Sequence, residues 1–92
     1  MHNMVYLIGR LEEEITGETI KIVVERTTKN SEGEYIKDTI KCLFQREDFI
    51  KASKDNIKVG DLIAIKGSLE WYNSDLVVVV QKMSFLSRRL ED

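Results

Sequence analysis

Tyr35-Ile36-Lys37-Asp38-Thr39-Ile40-Lys41-Cys42-Leu43-Phe44 is followed, after Gln45, by Arg46-Glu47-Asp48-Phe49-Ile50-Lys51-Ala52-Ser53-Lys54-Asp55-Asn56. The two halves carry different periods. In the first, Ile36, Ile40, Cys42 and Phe44 share one face with Asp38. Tyr35, Lys37, Thr39 and Lys41 share the other, joined near its end by Leu43. A period of two belongs to a strand. In the second half no alternation survives. Phe49, Ile50 and Ala52 supply an apolar side at helical spacing, Glu47 and Asp48 suit the positive end of a helix, and Lys51 and Lys54 suit its later turns. Residues 35–44 therefore predict a strand, and residues 46–56 predict a helix directly after it.

Turn signals place the remaining elements. Gly17 lies in Glu14-Ile15-Thr16-Gly17-Glu18, Asn30-Ser31-Glu32-Gly33 forms a longer turn, Val59-Gly60-Asp61 introduces a new run, and Asn73-Ser74-Asp75 makes a third hairpin loop. Between them lie β-like runs at residues 4–11, 19–28, 61–72 and 76–86. In the run at 19–28, Ile20, Ile22 and Val24 alternate with Lys21, Val23 and Glu25; the last run contains Val77-Val78-Val79-Val80, whose β-branched crowding favours a strand. The order is β-β-β-α-β-β. An all-β, five-stranded OB-fold barrel with one α-helix between strands 3 and 4 has this order. A small SH3-like barrel competes, but it usually lacks a three-turn helix at that point. The expected organisation is one domain over residues 1–87 and a short tail at 88–92.

Composition agrees with a small globular domain: 92 residues, 42% hydrophobic and 33% charged, with no proline. No apolar run reaches bilayer-spanning length, and Met1-His2-Asn3-Met4 does not open a signal peptide. The single cysteine, Cys42, has no intrachain partner, which fits a reducing compartment. These features predict a cytoplasmic protein with no membrane association. The net charge of −2 runs against the usual basic footprint of nucleic-acid binders, so any such role needs local clustering of cations.

The local wording then becomes informative. Asn3-Met4-Val5-Tyr6-Leu7-Ile8-Gly9-Arg10-Leu11 resembles the first strand of bacterial single-stranded DNA-binding proteins, typically Asn-x-Val-x-Leu-Ile-Gly-Arg-Leu. Ile20-Lys21-Ile22-Val23-Val24-Glu25-Arg26 is similar to that family's Phe-x-Leu-Ala-Val-x-Arg, and Asp38-Thr39-Ile40-Lys41-Cys42 to its Asp-Phe-Ile-x-Cys. The stretch from Ile57 through Val59-Gly60-Asp61 to Gly67-Ser68-Leu69 resembles Leu-x-Lys-Gly-x-x-Val-x-Val-x-Gly-x-Leu, and Met83-Ser84-Phe85-Leu86 the end of the fifth strand. The pieces occur in order over nearly the whole chain. Three departures stand out. Thr28 and Thr39 occupy positions where the family often has base-stacking aromatics, the loop between strands 4 and 5 is cut short, and the chain stops at Arg88-Arg89-Leu90-Glu91-Asp92 without a long acidic tail. The short form also resembles primosomal replication protein N, a relative of the same fold.

The resemblance implies sequence-tolerant binding of single-stranded DNA in replication, recombination or repair. Such binding needs cations along the phosphates and flat side chains against the bases. The expected site is the outward row Tyr35, Lys37, Thr39 and Lys41, with Arg26, Thr28 and Lys29 from the adjoining turn, Arg10 from the first strand, and Trp71 or Tyr72 as stacking platforms. Alternation puts only one of Trp71 and Tyr72 on the binding side. The same row also reads as the wet side of an antiparallel strand, Trp71 as a core or subunit-interface residue following Leu69, and Arg88 and Arg89 as a solvated tail. Cys42 reads as buried packing and His2 as a mobile terminus.

An enzyme is not expected. The only histidine is terminal, the cysteine is on an apolar face, and neither zinc-ligand spacing nor a phosphate-binding Gly-rich loop is present. Glu12-Glu13-Glu14 reads as a solvated loop in preference to a hard-cation site. No cofactor and no metal are expected. The alternative is an OB-fold interaction module that docks replication proteins with weak or no DNA binding, favoured by the negative charge and the two threonines. Apolar exposure around Tyr6, Ile8 and the four valines predicts a homo-oligomer, tetramer favoured and dimer possible.

Overall fold

The structure, a computed structural model, describes residues 3–88; His2 and the tail beyond Arg88 lie outside the described residues. Five strands and one helix follow the expected order: β1 (Val5–Leu11), β2 (Thr19–Lys29), β3 (Tyr35–Phe44), α1 (Glu47–Asn56), β4 (Leu62–Tyr72) and β5 (Asp75–Ser87). The strands close into a ring in the order β1-β2-β3-β5-β4. All neighbours are antiparallel except β3 and β5, which run parallel through Cys42↔Val78, Leu43↔Val79 and Phe44↔Val80. This is the OB-fold.

Alternation explains the core. Ile20 and Ile22 of β2 face Cys42 and Ile40 of β3 in register, and with Leu11, Phe44, Ile63, Ile65, Val78 and Val80 they fill the ring. Each such aliphatic side chain contributes about 1.5–3 kcal/mol on full burial. Ile15, from the β1–β2 loop, and Ile57, at the C-terminal end of α1, also enter this core. Burial pushes the Cys42 thiol up to about 12, so it is packing rather than a nucleophile at neutral pH.

The valine run departs from expectation. All four valines are buried within one chain. Val78 and Val80 point into the ring, whereas Val77 and Val79 form a second, outward cluster with Leu43 under Tyr72. They therefore leave no apolar surplus for a partner. Tyr6 and Ile8 do remain open, at 68% and 61% exposure.

α1 covers the core with Phe49, which stacks on Phe44 at 5.7 Å between ring centroids, and with Ile50. The third inward position is Ser53, four residues after Phe49; Ala52, expected on the apolar side, is exposed. No helix among the described residues is long and apolar enough to cross a membrane.

The turns obey local chemistry. Asn73 and Ser74 take φ of 49° and 68°, the two left-handed residues of a type I′ hairpin between Tyr72 and Asp75. Asn30 Oδ1 accepts hydrogen bonds from the backbone N–H of Glu32 and Glu34, which folds the β2–β3 turn. Gly67 sits at a close approach of β4 and β5: a Cβ there would collide with the Val79 carbonyl and Val78 Cγ1. Gly67→Ala should therefore lower stability by about 1–3 kcal/mol, read as a drop in the urea midpoint. An unchanged midpoint would show that the two backbones are further apart.

Candidate nucleic-acid interface

The outward row of β3 forms as its period dictates, and β2 extends it. In register, Lys29 lies opposite Tyr35, Glu25 opposite Lys37, Val23 opposite Thr39 and Lys21 opposite Lys41. On the β1 side a groove of about 210 Å³ is lined by Ile8, Gly9, Arg10, Val23, Glu25, Lys37 and Leu62. Arg10 thus joins Lys37 in one surface depression, held there by a 2.9 Å hydrogen bond that its Nη1 donates to the Gly60 carbonyl. Gly9 makes this approach possible, since a Cβ would strike the Val23 carbonyl of β2.

Arg26 does not belong to this row. Between Glu25 and Lys29 the β2 strand advances four residues while β3 advances two, from Lys37 to Tyr35. Arg26 precedes the resulting bulge and falls on the face of Val24 and Asp38. Its Nε and Nη2 donate to the two Asp38 carboxylate oxygens at 2.8 and 3.1 Å. That bidentate pairing holds the Asp38 carboxyl below its usual range and raises the guanidinium. Thr28 is exposed within the bulge. Lys29, beyond it, returns to the outward side with its Nζ 5.3 Å from the centre of the Tyr35 ring, a cation–π contact.

Carboxylates crowd the same surface. Lys41 Nζ lies 3.4 Å from Asp75, Lys21 Nζ lies 3.6 Å from Glu13, and Thr39 Oγ1 donates to Glu12 at 3.4 Å. These pairs are solvent-exposed, and such pairs contribute only about 0–1 kcal/mol each. Lys37 has no ion-pair partner among the described residues. Sequence reasoning passed over these acids: the Glu12-Glu13-Glu14 run was visible, but the hydrogen bond from Glu12 N–H to the Lys21 carbonyl that lays the loop beside β2 was not.

The aromatic side chains divide between faces. Tyr72 is the one on the outward side; it is half-buried against Leu43, Val77 and Val79 and donates its hydroxyl to Glu18 at 3.2 Å. Trp71 turns the other way, 75% exposed, in register with Leu76 and on the face of Leu69, both also exposed. Tyr35 is 48% exposed and available to receive a base. The row is therefore open from Tyr35 to Thr39 and filled near Leu43. Among the described residues no group of three or more His, Cys, Asp or Glu side chains is placed to hold a metal ion.

No protein-family model and no curated protein matches the chain. Solved structures do. The mitochondrial single-stranded DNA-binding protein Rim1 of S. cerevisiae superposes with TM-scores of 0.71 and 0.73 in two forms, at 16% and 14% identity, covering 96% and 99% of this chain and 98% and 100% of that one. The Plasmodium falciparum SSB, solved in complex with single-stranded DNA, superposes with a TM-score of 0.72 at 16% identity over 95% of this chain and 96% of its own. The likeness at this identity is one of fold, and it runs end to end.

The exposure of Trp71, the sole tryptophan, has a direct readout. Native emission should be red-shifted nearly to that of the urea-unfolded chain and freely quenched by acrylamide. A blue-shifted, protected tryptophan would mean that another surface covers it.

Proposed function

We propose that this protein binds single-stranded DNA with little sequence preference and is not an enzyme. One observation carries the reading: on a fold shared over its full length with single-stranded DNA-binding proteins, the Tyr35–Thr39 stretch of β3 is left open beside the groove that joins Lys37 to Arg10. Tyr35 receives a base, and Lys37 and Arg10 meet phosphates. Lys41 and Lys29 contribute less, since one is paired with Asp75 and the other lies over Tyr35. The setting we infer is replication, recombination or repair in a cytoplasmic compartment.

The protein acts as a homo-oligomer, tetramer favoured and dimer possible, in this proposal. Support comes from Tyr6 and Ile8, which project with Ala64, Lys66, Lys82 and Ser84 around a shallow groove on the outward β1–β4–β5 surface. The competing reading, an interaction module that docks replication proteins, is favoured by the acids on the candidate face.

Anisotropy of a labelled oligo-dT titrated with the protein separates the two. The binder predicts a saturable rise whose affinity falls with salt, with a slope of about 0.7 per neutralised phosphate. Tyr35→Ala should weaken binding by about 1–3 kcal/mol, the worth of one stacked base, and Lys37→Ala should flatten the salt dependence. Absence of binding even at low salt would leave the interaction module. Light scattering with and without the oligonucleotide reports the assembly state.

A further inference from the structure

Resting on the single-strand-binding reading above, we propose that Glu12, Glu13 and Asp75 are specificity-determining residues that select single-stranded over duplex DNA. They do so by occupying Lys21, Lys41 and the Thr39 hydroxyl with intramolecular carboxylates.

The geometry is that of a lined surface. Glu12 is fixed along β2 by its N–H bond to the Lys21 carbonyl at 3.0 Å, and its carboxylate reaches Thr39. Glu13 lies against Lys21 and Asp75 against Lys41, at 3.6 and 3.4 Å. Lys21 and Lys41 are directly opposite one another in the β2–β3 register, so two acids from different parts of the chain neutralise one cross-strand cation pair. Glu25 stands opposite Lys37 in the same sheet. Solvent-exposed pairs of this kind add little to folding, so the arrangement is not explained by stability.

Its effect on nucleic acid is unequal for the two forms. A duplex keeps its base faces stacked inside and offers a protein mainly charge, one phosphate per roughly 1.7 Å of axis. A single strand offers half that density, and it also offers free base faces. Neutralising Lys21 and Lys41 therefore removes two of the cations that a duplex could hold, while stacking on Tyr35 is untouched. The carboxylates add repulsion that rises with phosphate density. The net charge of −2 acts in the same direction at longer range.

The test compares the triple variant Glu12→Gln/Glu13→Gln/Asp75→Asn with the parent. Binding is measured by anisotropy against an oligo-dT longer than one OB-fold's site of about 4–16 nucleotides and against a mixed-sequence duplex of the same length. A second triple variant on α1, Glu47→Gln/Asp48→Asn/Asp55→Asn, makes the same change in net charge away from the face. The inference expects duplex affinity to rise about tenfold or more in the first variant, with the duplex salt slope steeper by about 0.9 for each freed lysine. The ratio of single-strand to duplex affinity should fall, whereas the α1 variant should leave that ratio unchanged. The single variant Asp75→Asn should give part of the shift and guards against a folding defect in the triple.

If the parent binds oligo-dT and the face variant keeps its ratio, the inference is overturned and the binding reading stands. An equal fall in the α1 variant also overturns it, since net charge alone would suffice. If neither parent nor face variant binds either nucleic acid, both the inference and the reading fall.

Discussion

Three parallel residue pairs, Cys42 with Val78, Leu43 with Val79 and Phe44 with Val80, convert an open sheet into a ring. The other pairings are antiparallel, and β2–β3 and β4–β5 close through turns near in sequence. A parallel pair admits no tight turn and needs a crossover; here the chain passes through α1 and β4 before β5 can lie beside β3. Phe44 then serves twice, closing the seam and supporting Phe49 of the helix that covers the core. Without this seam β3 and β5 would both be edge strands, with unpaired backbone groups open to association.

The seam also decides where a ligand can lie. β3 spends its last three residues on closure, and the outward side there is filled by Leu43, Val77, Val79 and Tyr72. Its first half has only β2 beside it, so Tyr35, Lys37 and Thr39 stay open. One strand is thus rigidly built in at one end and available at the other. The candidate surface thus sits on a fixed scaffold, which lowers the ordering cost of any recognition made there. The face is close to neutral because acids from the β1–β2 loop and from the start of β5 are laid over its lysines. In the proposed reading, that is how a chain of net negative charge can carry a nucleic-acid-binding face.

Much of the architecture was legible because alternation is a local property. The third strand falls where its period placed it, the others within a residue or two, and the helix starts one residue later, at Glu47. The misplacements occur where a position depends on something remote. Arg26 reads in sequence with the turn residues beyond the strand; β2 runs on to Lys29, where pairing with Tyr35 resumes, so Arg26 stays on the face of Val24 and meets Asp38. Ser53 takes the inward position in place of Ala52 because it lies one turn after Phe49, on the side of the helix that meets the barrel, and hydropathy does not mark that side. Glu12 and Glu13 read as a solvated loop and Asp75 as part of a hairpin loop; the first two reach the site through the Glu12 N–H bond to Lys21, and the third through barrel closure, which brings β5 to β3. Trp71 and Tyr72 were correctly separated by parity, and only the structure could say which of them lay outward.

The valine run carries one more consequence. Four identical side chains in a row contain no record of their own phase: displaced by one step, valine would replace valine on both sides, and the apolar pattern within the run would look the same. The phase must therefore be written elsewhere. Gly67, against the Val79 carbonyl, gives the facing backbone a clearance that a side chain there would close, and the β4–β5 irregularity at Lys66/Gly67 falls there too. The least adorned residue of the fourth strand thus acts as the alignment mark for the most repetitive segment of the chain.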